Sequence, residues 1–235
     1  MVVSGGVAQV RFLRVALLVL WKDFAIEVKS LEIVATTLFF AASCILVFSF
    51  AFVKEGAPVQ DAAAGILWIA ISFSGTLALG RTFERERYGE TLRALLLAPT
   101  PRPAIYVGKL LGMLLVMLAA ELMLVPMVAL LFQAPLFSRP LLLVALLVAG
   151  TIGFASVGTL FAAMLVRART RDIMLPILLY PITIPVMIAG VQGTAALLQP
   201  TPDEAIATMW IAIVTCFDIV FVTFSLWMFE PLMTE

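Results

Sequence analysis

Histidine is absent from all 235 residues. That removes the usual general base, the commonest zinc ligand and the usual haem axial ligand. Cysteine is scarce: only Cys44 and Cys216 occur, both inside apolar runs. With no CxxC or metal-ligand spacing, both read as small buried hydrophobes and no metal site is expected. Charge is scarce too, at 13% of residues, where a soluble domain carries about 25%. The formal net charge is zero, and no nucleic-acid partner is expected. No HExxH or GxSxG string occurs. Ser74-Gly75 lacks a base that could make it a protease nucleophile. The nearest P-loop string ends Gly108-Lys109-Leu110, with Pro103 where its first glycine belongs. These absences leave no candidate catalytic residue and no ATP site in this chain.

What remains is mostly oil: 63% of the residues are hydrophobic. The excess falls into blocks long enough to cross a bilayer, each needing about 20 residues. The expected class is all-α, a polytopic membrane protein with six transmembrane helices in a single domain over 1–235. The predicted spans are 33–53, 62–80, 110–132, 141–166, 173–191 and 206–229. Ser72, Thr76 and Gly80 recur every four residues in the second span, a spacing that lets another helix approach closely. Ala145, Ala149 and Gly153, then Ala155, Thr159 and Ala163, repeat that spacing in the fourth. Pro176, Pro181 and Pro185 lie in the fifth, which is predicted to be bent or broken.

Residues 7–31 form a different pattern. On a helical projection Arg11, Arg14, Lys22 and Lys29 share one narrow arc. Leu13, Leu17, Leu20, Trp21, Phe24, Val28 and Leu31 gather opposite. This suits an amphipathic helix lying in the headgroup layer. A signal peptide is the weaker reading, because Lys22-Asp23 follows the apolar core with no small-residue cleavage site. A spanning helix is opposed by the spaced charges.

Thirteen of the fifteen Lys and Arg fall on one side of this topology, leaving Lys54 and Arg139 on the other. The positive-inside rule makes the basic side cytoplasmic, with both termini there. The longest polar interruption, 81–109, is placed on that side. It carries six of the basic residues with Glu84, Glu86 and Glu90 among them. Its middle is helix-forming (Thr91 to Ala98), and Pro99, Pro101 and Pro103 are expected to end any helix and stiffen the return path. Charge alone favours a solvated connector whose arginines only enforce topology.

Two acids, Glu121 and Asp218, fall near the middle of predicted spans. Placing an acid there costs about 2.5–3.5 kcal/mol on insertion scales, so such groups usually face a cavity or a partner. They read either as lining a polar path or as neutral acids hydrogen-bonded to a neighbouring helix. Tyr180, beside Pro181, is a third intramembrane polar candidate.

The strings Glu84-Arg85-Glu86-Arg87-Tyr88-Gly89-Glu90-Thr91-Leu92, Leu95-Leu96-Leu97-Ala98-Pro99 and Gly108-Lys109 resemble the segment between spans two and three of ABC-2-type transporter permeases. The amino-terminal interfacial helix and six spans are similar to that family's layout. Arg81-Thr82-Phe83-Glu84-Arg85-Glu86 directly after span two, and Leu97-Ala98-Pro99-Thr100-Pro101-Arg102 leading into Ile105-Tyr106-Val107-Gly108-Lys109, narrow the resemblance to its CcmB family. The specific motif covers only about 80–112, although the layout covers nearly the whole chain.

The resemblance implies an ABC-2 (type V exporter-like) permease fold with a cytoplasmic coupling helix in a bacterial inner membrane. It implies the permease component of a haem-export complex in c-type cytochrome biogenesis, with ATP and Mg on a separate CcmA-like ATPase. Further implied partners are CcmC- and CcmD-like membrane subunits, a CcmE-like haem chaperone released by the complex, and two copies of this chain. Haem would be handled by the complex; the missing histidine argues against axial haem ligation by this chain and leaves Met or Tyr as the alternative ligands. Gly89 to Ala98 is expected to be the coupling helix. Leu92, Leu95 and Leu96 would fill a groove on the ATPase, and Glu84, Arg85, Glu86, Arg87, Glu90, Thr91 and Arg93 would surround it. An ABC-2 exporter of a lipid, glycan or drug, or a non-transporting scaffold, shares most of these features.

Overall fold

The computed structural model describes residues 3–54, 57–89, 101–165, 168 and 170–232, with side chains for 12–52, 59–82, 101–165, 168 and 170–231. Among the described residues there are seven long helices. They are α1 (Val3–Ser30), α2 (Glu32–Ala51), α3 (Ala63–Gly89), α4 (Arg102–Leu131), α5 (Pro140–Met164), α6 (Arg171–Leu198) and α7 (Glu204–Leu232). All but α1 are long and apolar enough to cross a membrane. A two-stranded hairpin, β1 (Val53–Lys54) against β2 (Ala57–Pro58), joins α2 to α3.

Burial separates core helices from flanking ones. The apolar windows of α3 and α5 are each 67% buried, against 22% in α2 and 17% in α7. So α3 and α5 form the centre, and α2 and α7 turn most of their apolar surface outward, where only lipid or another subunit can cover it. Cys216 is exposed on α7, which corrects the expectation that it is buried; Cys44 is half-buried.

Small residues decide how the centre packs. Trp68 of α3 is 1% exposed, with its indole wedged between the backbones of Gly150 in α5 and Gly190 in α6. A Cβ at either glycine would overlap the ring. Trp68 Nε1 donates to Thr194 Oγ1 at 2.9 Å, which satisfies the indole N–H in an otherwise apolar layer. The predicted stripe on α3 continues from there and faces α6. The Ser72 hydroxyl donates to Met187 Sδ, and Thr76 Oγ1 to Tyr180 Oη at 3.2 Å. At the end of the stripe the Arg171 guanidinium donates to the Gly80 carbonyl at 2.8 Å and to Leu79 O at 3.2 Å.

Three expected boundaries are corrected. First, α6 runs unbroken through Pro176, Pro181 and Pro185 and ends at Leu198, seven residues beyond the predicted span. Each proline forfeits one backbone donor, but its φ suits a helix. Packing of Leu175, Leu179, Thr183, Val186 and Ala189 into the core holds the helix together. Second, 102–109 is not part of a loop: α4 begins at Arg102, with Pro103 in its first turn, where a missing N–H costs nothing. Ile105, Tyr106 and Lys109 are buried there. Third, α3 runs past Gly80 to Gly89, so Glu84 to Gly89 form its last turns. Residues 90–100, which include most of the expected coupling helix, lie outside the described residues.

Candidate functional site

Gly108 and Lys109, singled out above only as part of a pattern, hold α1 against α4. A Cβ at Gly108 would lie 2.7 Å from both Ala16 O and Val19 Cβ, so only glycine admits α1 this closely. Beside it Lys109, 4% exposed, donates through Nζ to Asp23 Oδ2 at 2.7 Å. Asp23 also pairs with Lys22 at 3.1 Å. Ala16 and Val19 form the buried side of α1, while Leu13, Leu17, Leu18, Trp21, Phe24 and Val28 remain exposed. Arg14 and Lys29 are exposed and Lys22 is half-buried; Arg11 lies on α1 with its side chain outside those described. Thus α1 leaves an apolar face exposed and turns a narrow small-residue seam to α4.

A tight corner fixes the link to α2. Leu31, with φ of 51°, is the single residue between the two helices. A left-handed leucine is uncommon and needs support. Leu31 N–H donates to Glu27 O at 2.6 Å, and the Glu27 carboxylate accepts the Val34 N–H at 2.9 Å. Glu27 therefore satisfies one of the orphan donors at the start of α2.

The Asp23–Lys109 pair yields an asymmetric prediction. Removing one member of a buried ion pair costs about 3–5 kcal/mol when the other stays buried and charged. Asp23→Ala takes this counter-charge from the buried Lys109, whereas Lys109→Met leaves Asp23 with Lys22. Asp23→Ala should therefore lower the thermal midpoint in detergent more than Lys109→Met does. Equal midpoints for the two variants would deny the pair its clamping role.

The intramembrane acids approach the central helix α5 from two sides. Glu121 of α4, 4% exposed, accepts the hydroxyl hydrogen bond of Thr151. Asp218 of α7, 7% exposed, lies against Gly153, where a Cβ would be 2.6 Å from Asp218 Oδ1. That oxygen has no hydrogen-bond partner among the described residues. The structure does not bring the two acids together, and no basic side chain reaches either among the described residues. Tyr180 lies elsewhere, stacked edge-on to Phe73 at 6.1 Å. It lines a cleft of about 560 Å³ between α2, α3 and α6, together with Phe40, Thr76, Arg81 and Asp172.

Of the residues expected to couple to an ATPase, Glu84, Arg85, Glu86, Arg87 and Gly89 fall in the last turns of α3, where side chains are not described. Glu90, Thr91, Leu92, Arg93, Leu95 and Leu96 lie outside the described residues. The Asp23–Lys109 pair and the Trp68 wedge were missed in the sequence. Their partners are 86 and 126 residues away along the chain, and no local pattern announces them.

Six long apolar helices, with α3 and α5 at their centre, and the further helix α1 define a polytopic membrane protein of all-helical fold. Residues 14–230 match the CcmB protein family, and the chain belongs to that family. Heme exporter protein B of Pseudomonas aeruginosa is 28% identical over 192 residues, which covers 82% of this chain and 85% of that protein. Heme exporter protein B of Paracoccus denitrificans is 31% identical over 155 residues, 66% of this chain and 70% of that protein. The Escherichia coli protein of the same name is 32% identical over 97 residues, 39% of this chain and 44% of its own length.

Proposed function

We propose that this chain is the membrane-spanning subunit of an ABC-type haem-export complex serving c-type cytochrome biogenesis. The observation that carries the reading is the family match over 14–230, supported by relatives named heme exporter protein B. The chain itself supplies no nucleotide-binding string, so hydrolysis of ATP with its Mg belongs to a separate CcmA-like ATPase. CcmC- and CcmD-like subunits pack beside it, two copies form the complex, and the work done is release of a haem-loaded CcmE-like chaperone. The outward apolar faces of α2 and α7 suit such neighbours as well as lipid. The complex sits in a bacterial inner membrane, with both termini and the Glu84–Leu96 stretch on the cytoplasmic side.

In this reading Leu92, Leu95 and Leu96 fill the groove on the ATPase, and Glu84, Glu86, Arg87, Glu90 and Arg93 orient the contact through rim charges. ATP binding changes the membrane part only as far as it favours one docked state over the other. The continuity of α3 from the Trp68 wedge to Gly89 supports a lever from this stretch to the bundle centre. Leu92→Asp and Leu95→Asp should each lose the ATPase in a detergent pull-down, by at least ten-fold, while the chain still inserts. Normal co-purification of both variants would remove this contact assignment. A host lacking the chain should lose c-type cytochromes; unchanged cytochromes would instead favour export of another substrate.

A further inference from the structure

The two directions away from Asp218 along the α5–α7 seam differ in chemistry. Helices α5 and α7 run the same way: Arg139, just before α5, pairs with Glu204 at the start of α7, and Gly153 meets Asp218 further along. From Asp218 towards the Arg139 end, Ala149, Val186, Ala189 and Val214 form a buried apolar cluster, with Trp210 and Phe217 packed against it. Towards the Arg102 end the seam is polar. Ser225 lies two turns beyond Asp218 on the same face of α7 and is fully buried, as are Ser156 and Thr159 of α5. The Ser156 hydroxyl donates to Gly153 O at 2.9 Å, next to the Asp218 carboxyl. Tyr106 Oη donates to Ser156 O at 3.0 Å, and the Ser225 hydroxyl stands beside the same phenol. Thr159 is one turn further along α5. Ser225 Oγ and Thr159 Oγ1, like Asp218 Oδ1, have no hydrogen-bond partner among the described residues. Tyr106 itself is one turn from Arg102, where α4 starts and where Arg102 Nη1 approaches the Glu230 carbonyl of α7 at 3.5 Å.

We propose that Asp218 is a proton-binding site reached by water from the Arg102 end of the bundle alone. Buried hydroxyls without protein partners are where ordered water is held, with about three hydrogen bonds to each water. The Tyr106 phenol and the Ser225 and Thr159 hydroxyls supply that number. A proton arriving on this water passes to the Ser156 hydroxyl, whose own proton moves on to Asp218 Oδ1. Only O–H bonds form and break, and the aqueous phase supplies the proton; the reverse order releases it. Carboxyl groups inside a membrane are costly, and proton relays are among the uses that retain them. No basic group competes for this one. The other side chains that approach the Cβ position of Gly153 are Val186 and Phe217, both apolar. Neither a hydrogen bond nor an ion pair joins a basic side chain to Asp218 among the described residues, and Glu121 is held by Thr151. The apolar cluster closes the opposite direction, because water there would lack polar partners. Access from one end lets the bundle take up a proton without passing it to the other aqueous phase.

The test is infrared spectroscopy of the full chain in nanodiscs, with isotopically labelled aspartate. Asp218→Asn identifies the carbonyl band of the protonated Asp218 carboxyl by removing it. The rate at which that band shifts in deuterated water reports access to the site. Tyr106→Phe and Ser225→Ala should each slow the shift at least ten-fold. Ser225→Thr keeps a hydroxyl and should keep the wild-type rate. Trp210→Phe, on the apolar side, should leave the rate unchanged. Wild-type rates in both Tyr106→Phe and Ser225→Ala would overturn the path. A changed rate in Trp210→Phe would place access at the other end, and absence of a protonated Asp218 band at every pH where the chain stays folded would overturn the site.

Discussion

Gly150→Leu should leave almost no monodisperse protein after detergent extraction. The side chain would enter the space now held by the indole of Trp68, which Gly190 closes from the other face. Overpacking a well-filled core typically costs 1–3 kcal/mol when neighbours can shift. Here the neighbours are two helix backbones, and α3 and α5 are the most buried elements of the bundle. The reciprocal variant, Trp68→Ala, removes the wedge and the hydrogen bond to Thr194. Truncating a buried tryptophan costs about 3–5 kcal/mol. At about 2–4 °C per kcal/mol for a chain of this size, its midpoint should fall by roughly 10 °C. Trp68→Phe keeps a six-membered ring and loses part of the indole together with the N–H, the hydrogen bond being worth about 0.6 kcal/mol on average inside membranes. The expected order of thermal midpoints is therefore wild type, Trp68→Phe, Trp68→Ala. A Gly150→Leu protein that elutes and melts like the wild type would show that the indole is not wedged against α5.

That node also explains why the sequence revealed the spans and not their centre. Crossing a bilayer is a property of run length, and run length is local. All six apolar runs are helices in the structure. The Ser72, Thr76 and Gly80 stripe was legible as a contact face because its period is local as well. Its partner, α6, was not, since nothing in α3 names Met187 or Tyr180. The helix ends were misjudged where charge and proline were read as exits from the membrane. Lys109 looked like loop, yet Asp23 neutralises it inside the bundle. Pro103 looked like a stop, yet it occupies the first turn of a helix, where the missing N–H costs nothing. The apolar face of α1 was visible in its periodicity, but the docking seam was not. Ala16 and Val19 are small and unremarkable until Gly108 is set against them. The stretch assigned to ATPase contact rests on resemblance in residues 84–98, most of which the structure does not describe.

Asp218→Ala should leave the folded protein as stable as the wild type, or more so, while c-type cytochrome yield in the host falls at least ten-fold. The sign follows from the site. A buried polar group with no hydrogen bond costs about 1–3 kcal/mol in proteins, and Asp218 Oδ1 has no partner among the described residues. The other side chains that approach the Cβ position of Gly153 are Val186 and Phe217, both apolar. Removing it relieves the fold; any loss of output then belongs to function. Glu121 differs, because the Thr151 hydroxyl already satisfies one of its oxygens. Glu121→Gln keeps an acceptor for that hydroxyl and should be neutral in stability. Glu121→Ala strands a hydroxyl that can turn back to its own helix, a loss of about 1 kcal/mol. Since residues 151 and 153 point to opposite sides of α5, the two acids act on that helix separately, and the double variant should add the single stability effects. The decisive comparison is thermal midpoint against cytochrome yield for Asp218→Ala and Glu121→Gln. Full yield in both would make these acids packing elements, and a midpoint drop matching the loss of yield would do the same. Stable, assembled and inactive variants would place a working carboxyl on each flank of the central helix.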